Sequence, residues 1–126
     1  MSNPIPFPKR ICIDFDGVIH SHISPWKGPE IIEDPPVPGA FFAIETYLKA
    51  GFRVAIFSCR SSKDGGVRAM MNWFYQHGIS AAMVDHLEFP CHKPAAEIYI
   101  DDRGFHFEGS FPSVEWIQAF KTWNRQ

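Results

Sequence analysis

Residues 11–20 read "ICIDFDGVIH": a short apolar run that ends in two aspartates, Asp14 and Asp16, with only Phe15 between them and Gly17 behind. An apolar run of this length that stops at turn-forming residues is the mark of a buried strand. Two carboxylates sharing one small space repel each other unless a positive charge lies between them. The rest of the chain has to supply that charge.

Outward from this stretch, "FRVAIFS" (52–58) reads as a second buried strand closing on Ser58, and "AAMVDH" (81–86) as a short third. "EIYI" (97–100) reads as a fourth, running into Asp101 and Asp102. Two helices fall between them. "PGAFFAIETYLKAG" has Pro38 in its first turn and Gly51 as its stop. "DGGVRAMMNWFYQHG" carries Met70, Met71, Phe74 and Tyr75 at helical spacing, with Gly78 at its end.

Residues 17–38 hold five prolines and no periodicity, so they are expected to form an ordered loop, with His20 and His22 at its solvent-facing mouth. Pro94 is expected to open a brief helical turn and "FHF" (105–107) to add an edge strand. "SVEWIQAFKTW" is expected to be a C-terminal helix that buries Trp116, Ile117, Phe120 and Trp123 in the core.

Strands that alternate with helices require right-handed crossovers between parallel neighbours. The expected fold is therefore α/β: a doubly wound, mostly parallel, Rossmann-like sheet with helices on both faces, in a single domain spanning residues 1–126. Ligands of such sheets bind beyond the carboxyl ends of the strands. Asp14, Asp16, Ser58, Arg60, Asp101 and Asp102 all fall there, with Lys93 just before the last strand.

At 126 residues, 45% hydrophobic and 21% charged, the chain has the composition of a globular domain. A net charge of −2 argues against a general coat for long nucleic acid while allowing a local basic pocket. No stretch reaches the ~20 apolar residues of a membrane span, and "MSNPIPFPKR" lacks an apolar signal core. The three cysteines, Cys12, Cys59 and Cys91, form no C-x-x-C pair; a cytoplasmic protein without a disulfide framework is expected, with Cys12 packed in the core.

An aspartate can attack phosphorus and form an aspartyl-phosphate that water later hydrolyses. The obstacle is charge: at ~4 Å and an effective dielectric of about 20, each unit repulsion costs roughly 4 kcal/mol. Mg²⁺ suits a site of carboxylates and phosphate oxygens. Asp14, Asp101 and Asp102 are the candidates to hold it. Lys93 and Arg60 are placed to take the remaining phosphate charge, and Ser58 to donate a hydrogen bond. Asp16 can protonate the leaving oxygen and then deprotonate the attacking water. An EF-hand calcium loop does not fit, because Gly17 falls at loop position four and Pro25 at position twelve.

With these residues in place, the chain resembles the haloacid dehalogenase superfamily of phosphohydrolases. Its four motifs are matched in order by "DFDGV" (14–18), Ser58 closing "VAIFS", Lys93, and "IDD" (100–102). The resemblance implies Asp14 as nucleophile, Asp16 as acid/base and backbone metal ligand, Ser58 and Lys93 as phosphate binders, and Asp101 and Asp102 as metal site, with Asp102 the direct ligand. "SCR" (58–60) and "DDR" (101–103) resemble stretches in the phosphatase domains of phage polynucleotide kinases, although Cys59 stands where those carry glycine. This adds Arg60 and Arg103 as candidate substrate-binding residues and a nucleic-acid end among the candidate phosphorylated partners.

Only about twenty residues separate Gly17 from the first helix, and the 34 between Ser58 and Lys93 are mostly used by a helix and a strand. No cap domain is expected. The expected activity is Mg²⁺-dependent phosphomonoester hydrolysis on nucleotide or polynucleotide phosphates. The alternatives are a phosphoprotein or small-metabolite phosphatase, or a receiver-like module that is phosphorylated on aspartate without turnover. The number of subunits is left open.

Overall fold

The computed structural model describes residues 9–125; the N-terminal stretch read above as lacking a signal core lies, for residues 1–8, outside them. Four parallel strands form one sheet in the order β3-β2-β1-β4: β1 (Arg10–Asp14), β2 (Arg53–Phe57), β3 (Leu87–Glu88) and β4 (Ile98–Ile100). β1 is central because its residues Ile11, Cys12 and Ile13 are apolar on both faces, as a strand covered on both sides requires.

The register aligns one face: Ile11 pairs with Val54 and Ile98, Ile13 with Ile56 and Ile100, and Val54 with Leu87. On this face lie α1 (Ala40–Lys49) and α2 (Gly66–Gln76). Ile44 of α1 and Met70, Trp73 and Phe74 of α2 join Ile11, Ile13, Val54 and Ile56 in one core, each almost fully buried. At the start of α2 only glycine fits at Gly66, because a Cβ there would overlap the Arg60 carbonyl oxygen.

Helices do not cover both faces as expected. The steps β1→β2 and β2→β3 run in one direction across the sheet, so right-handed crossovers put both helices on the same side. The return from β3 to β4 is an irregular segment whose Phe89 packs against Phe74 of the core and whose Lys93 lines a cavity with Cys12 and Tyr99. No helical turn forms at Pro94; instead the segment is tied to the start of β1 and to β4. Arg10 Nη1 donates to the Ala95 carbonyl (2.9 Å), Glu97 N–H to the Arg10 carbonyl (2.8 Å), and the Tyr99 hydroxyl to the Pro94 carbonyl (2.6 Å).

The third strand is shorter and later than expected. Residues Ala81–Val84 form a helical turn, α3, because Ser80 Oγ accepts from Met83 N–H at 3.1 Å and the alanines and methionine that follow favour helix. β3 then begins at Leu87. Its Glu88 accepts from Arg10 Nε (2.8 Å) and Arg53 Nε (2.6 Å), which pins a two-residue strand in register.

Residues 105–107 form no strand, and the C-terminal helix α4 (Val114–Ala119) buries none of its residues. Trp116, Ile117 and Trp123 are 44%, 57% and 53% exposed, against the expectation that they fill the core. Their rings pair locally instead, Phe105 with Trp116 and Trp116 with Phe120. Among the described residues no helix is long and apolar enough to cross a membrane.

Candidate functional site at the carboxyl ends of the strands

The parallel register assembles the site. Asp14 pairs with Phe57, the residue before Ser58, and Ile13 pairs with Ile100, the residue before Asp101. Strand ends from three distant parts of the chain thus deliver their polar residues to one place.

Asp14, Asp101 and Asp102 each bring a carboxylate oxygen within 4.8 Å of the others. Burial pushes the Asp14 carboxyl up to about 8, helped by hydrogen bonding to Asp102 and by repulsion from Asp101, Asp102 and Asp16. Asp102 Oδ1 is buried with no hydrogen-bond partner among the described residues. Gly17 makes this approach possible. Its φ is +89°, and a Cβ there would overlap the Asp102 carboxylate.

A cavity of about 100 Å³ opens beside the cluster, lined among others by Asp14, Ser58, Cys59, Lys93 and Asp101. The Lys93 ammonium lies 4.6 Å from the centre of the Tyr99 ring. Lys93 is exposed and lines the same cavity as Asp14, without an ion pair to it among the described residues.

Asp16 has a different environment. Its Oδ1 accepts from His20 Nδ1 (2.8 Å) and Arg60 Nη2 (3.1 Å); its Oδ2 accepts from Ser58 Oγ (2.9 Å) and Arg60 Nε (2.9 Å). All four lone-pair positions of the carboxylate are filled. Burial works to raise its pKa, but hydrogen bonds from His20, Arg60 and Ser58 and the Arg60 charge overcome that and hold it at about 2.

Arg60 is 1% exposed. Its Nη1 donates to the carbonyls of Gly28, Pro29 and Ile31, and Trp26 stacks on it with 4.5 Å from ring centre to guanidinium. Against the expectation that it binds phosphate, Arg60 is turned inward: its Nε, its Nη1 and one Nη2 hydrogen fix the 17–38 loop onto Asp16. Ser58 is also partly committed, since its hydroxyl proton goes to Asp16 while its oxygen accepts from Arg60 N–H at 3.1 Å.

His20 is buried, not at a solvent-facing mouth. The backbone N–H of Asp34 donates to its Nε2 (3.1 Å), so Nδ1 carries the proton given to Asp16. Asp16, His20 and His22 also bring candidate ligand atoms within 4.8 Å of one another. With Asp16 saturated and both His20 nitrogens engaged, that group reads as a hydrogen-bonded brace and not a metal site. His22 adopts φ +52°, rare for a residue with a side chain, and burial lowers its pKa.

Sequence reasoning missed two supports. Trp123 Nε1 donates to the Gly17 carbonyl (2.7 Å), and Asn124 Nδ2 to the Ser21 carbonyl (2.9 Å), so the chain's last described turn latches the loop after β1. Asp34 accepts from Ser24 N–H and Oγ (2.7 and 2.6 Å), folding the loop on itself. The only signal for either was the proline density that marked the loop as ordered. Arg103 donates its N–H to Asp101 Oδ1 (2.6 Å), while the residue lines a separate cavity with Phe120, Lys121, Thr122 and Arg125.

Comparison with protein-family models, curated proteins and solved structures found no match.

Proposed function

We propose that this chain is a Mg²⁺-dependent phosphomonoester hydrolase of the haloacid dehalogenase type, without a cap, acting on nucleotide or polynucleotide phosphates. The observation that carries the reading is the Asp14–Asp101–Asp102 cluster beside a small cavity whose lining also includes Lys93. Burial first, and then the neighbouring carboxylates, push the Asp14 carboxyl up to about 8, and a cation bound there would offset both.

The donor set fits Mg²⁺. It consists of hard carboxylate oxygens, one of them, Asp102 Oδ1, buried and without a partner among the described residues, and contains no histidine or cysteine. Asp14 and Asp102 would hold the ion, with Asp101 beside them; the resemblance adds the Asp16 carbonyl. When bound, the ion would neutralise the carboxylates and the incoming phosphate, leaving Asp14 ionised and able to attack.

Asp14 then forms a bond to phosphorus as the ester bond to the leaving alcohol breaks. Lys93 balances charge on the phosphoryl oxygens. Water attacks the phosphorus of the aspartyl-phosphate, releases inorganic phosphate and restores the Asp14 carboxylate. Protons are needed at the leaving oxygen and must be removed from the water. Asp16 can serve only if its carboxylate leaves Arg60, because as held it has no free lone pair and is ionised at neutral pH.

That saturation favours a second reading, in which Asp14 is phosphorylated and turnover stops. One experiment separates the two. Steady Mg²⁺-dependent release of p-nitrophenol from p-nitrophenyl phosphate, abolished by EDTA and by Asp14→Asn, supports the hydrolase. Release of one equivalent with a stable phosphate adduct on Asp14, seen by intact mass, supports the module. No release in either form sinks both.

A further inference from the structure

We propose that the cavity walled by Arg103, Lys121 and Arg125 is a second anion site, receiving a further phosphate group of the molecule whose phosphomonoester sits beside Asp14. The cavity measures about 350 Å³ and is lined by Arg103, Phe120, Lys121, Thr122 and Arg125. Three of these five residues are cationic at neutral pH and none is acidic. In a chain of net charge −2, such a concentration of one sign around one hollow is a local departure from the rest of the surface.

The cationic side chains are of two kinds. The Arg103 and Arg125 guanidiniums, like that of Arg68, make no ion pair among the described residues, whereas Arg10, Arg53 and Arg60 are paired with carboxylates. Guanidinium forks match phosphate oxygens in pairs. Phe120 adds an aromatic wall and itself stacks on the half-exposed Trp116, with ring centres 5.6 Å apart.

Two covalent steps tie this cavity to the carboxylate cluster. Arg103 follows Asp102 directly, and the Asp102 carboxylate fills the space that a Cβ on Gly17 would take. Thr122, nearly buried in the cavity wall, precedes Trp123, whose indole N–H is bonded to the Gly17 carbonyl. Consecutive Cα atoms are ~3.8 Å apart, so both walls stand one residue from groups that touch Gly17. A substrate with its scissile phosphate beside Asp14 and a neighbouring phosphate one link away would span the two sites. The second phosphate has two possible sources, a bisphosphorylated nucleoside or the next link of an oligonucleotide strand.

This inference rests on the phosphatase reading for the word substrate, and not for the binding site itself, so the test has two arms. In the kinetic arm, Arg125→Glu is compared with wild type on p-nitrophenyl phosphate, adenosine 3′,5′-bisphosphate and a terminally phosphorylated pentathymidylate. The expected result is a KM raised roughly tenfold or more for the multiply charged substrates, unchanged for p-nitrophenyl phosphate, and raised less by Arg125→Lys, which keeps the charge but not the fork. A rise with the bisphosphate alone assigns the small molecule; a rise with the oligonucleotide alone, or the larger rise with it, assigns the strand. Equal changes on all three substrates, or no change on any, overturn the proposal. In the binding arm, fluorescence polarisation follows labelled pentathymidylate on Asp14→Asn, with and without Arg125→Glu. Salt-sensitive binding weakened by the charge reversal supports the site even where no ester is turned over. Binding that ignores the reversal overturns it.

Discussion

Asp14 and Asp16 are two residues apart on one strand end, and their surroundings are opposite. Asp16 accepts four hydrogen bonds, two of them from a buried arginine, and is held at about 2. Asp14 sits with two other carboxylates and is pushed up to about 8. One aspartate has been given its counter-charge by the chain; the other has none paired with it among the described residues. The difference teaches that the protein spends Arg60 on architecture and leaves Asp14 in a place where an added cation would be welcome. The pairing proposed from adjacency, one carboxylate attacking and its neighbour relaying the proton, therefore needs Asp16 to leave its clamp.

The largest effect expected from breaking this contrast is on activity. On the phosphatase reading, Asp14→Asn should lower turnover of p-nitrophenyl phosphate by at least about a thousandfold, because an amide cannot form the phosphoryl bond. The same variant should raise the stability of the cation-free protein at neutral pH, since asparagine removes the cost of holding Asp14 protonated in the fold while the unfolded chain ionises it. A loss of both activity and stability would contradict the electrostatic account.

Arg60→Met attacks the other side. It leaves Asp16 buried without its cation and three loop carbonyls without a donor, so urea denaturation should register a loss of about 3–5 kcal/mol. A raised KM with unchanged stability would restore Arg60 to the phosphate site. Combining it with Asp16→Asn should cost less than the sum of the two, since the variants break one interaction.

The two aspartates should also tilt stability in opposite directions with pH. In EDTA, the folded protein keeps a proton on Asp14 that the unfolded chain loses near pH 4, so folding stability should fall as pH rises from about 4 to about 8. Asp16 is depressed, so its contribution is present above about pH 4 and lost as pH falls toward about 2. Denaturation midpoints between pH 5 and 8 test the first slope, which Mg²⁺ and Asp14→Asn should each flatten. A slope unaffected by either would place the titrating group elsewhere.

Gly17→Ala forces a side chain into the left-handed region and against Asp102, for an expected loss of about 1–3 kcal/mol. It should weaken the stabilisation by Mg²⁺ as well, because the Asp102 carboxylate must move; equal Mg²⁺ responses in both proteins would separate Asp102 from the cation. The smallest effect is expected from Trp123→Phe. It removes one hydrogen bond to the Gly17 carbonyl, worth about 1 kcal/mol, and a melting temperature identical to wild type would show that the latch does not support the loop.

The strands that build the site were legible because each is a short apolar run ended by polar residues, and parallel pairing brings such ends together. The failures have a common cause. "AAMVDH" has an apolar run suitable for a strand, yet Ser80 caps it into a helical turn. Trp116 and Ile117 have the spacing of a buried helix face, but α4 finds no sheet surface to cover. Arg60 sits two residues past Ser58 in either reading; only the path of the 17–38 loop shows that its guanidinium turns inward.

By itself the sequence determined the α/β class, the parallel order of a strand-helix pattern and the gathering of Asp14, Ser58, Asp101 and Asp102 at one end of the sheet. Those follow from periodicity and chirality, which are local properties of the chain. Tertiary structure alone decided which aspartate receives the buried arginine, where Arg103 goes and which face of the sheet the helices cover. Such matters depend on contacts between residues dozens of positions apart, and hydrogen bonds like that of Trp123 to Gly17 leave no trace in the spacing of either residue.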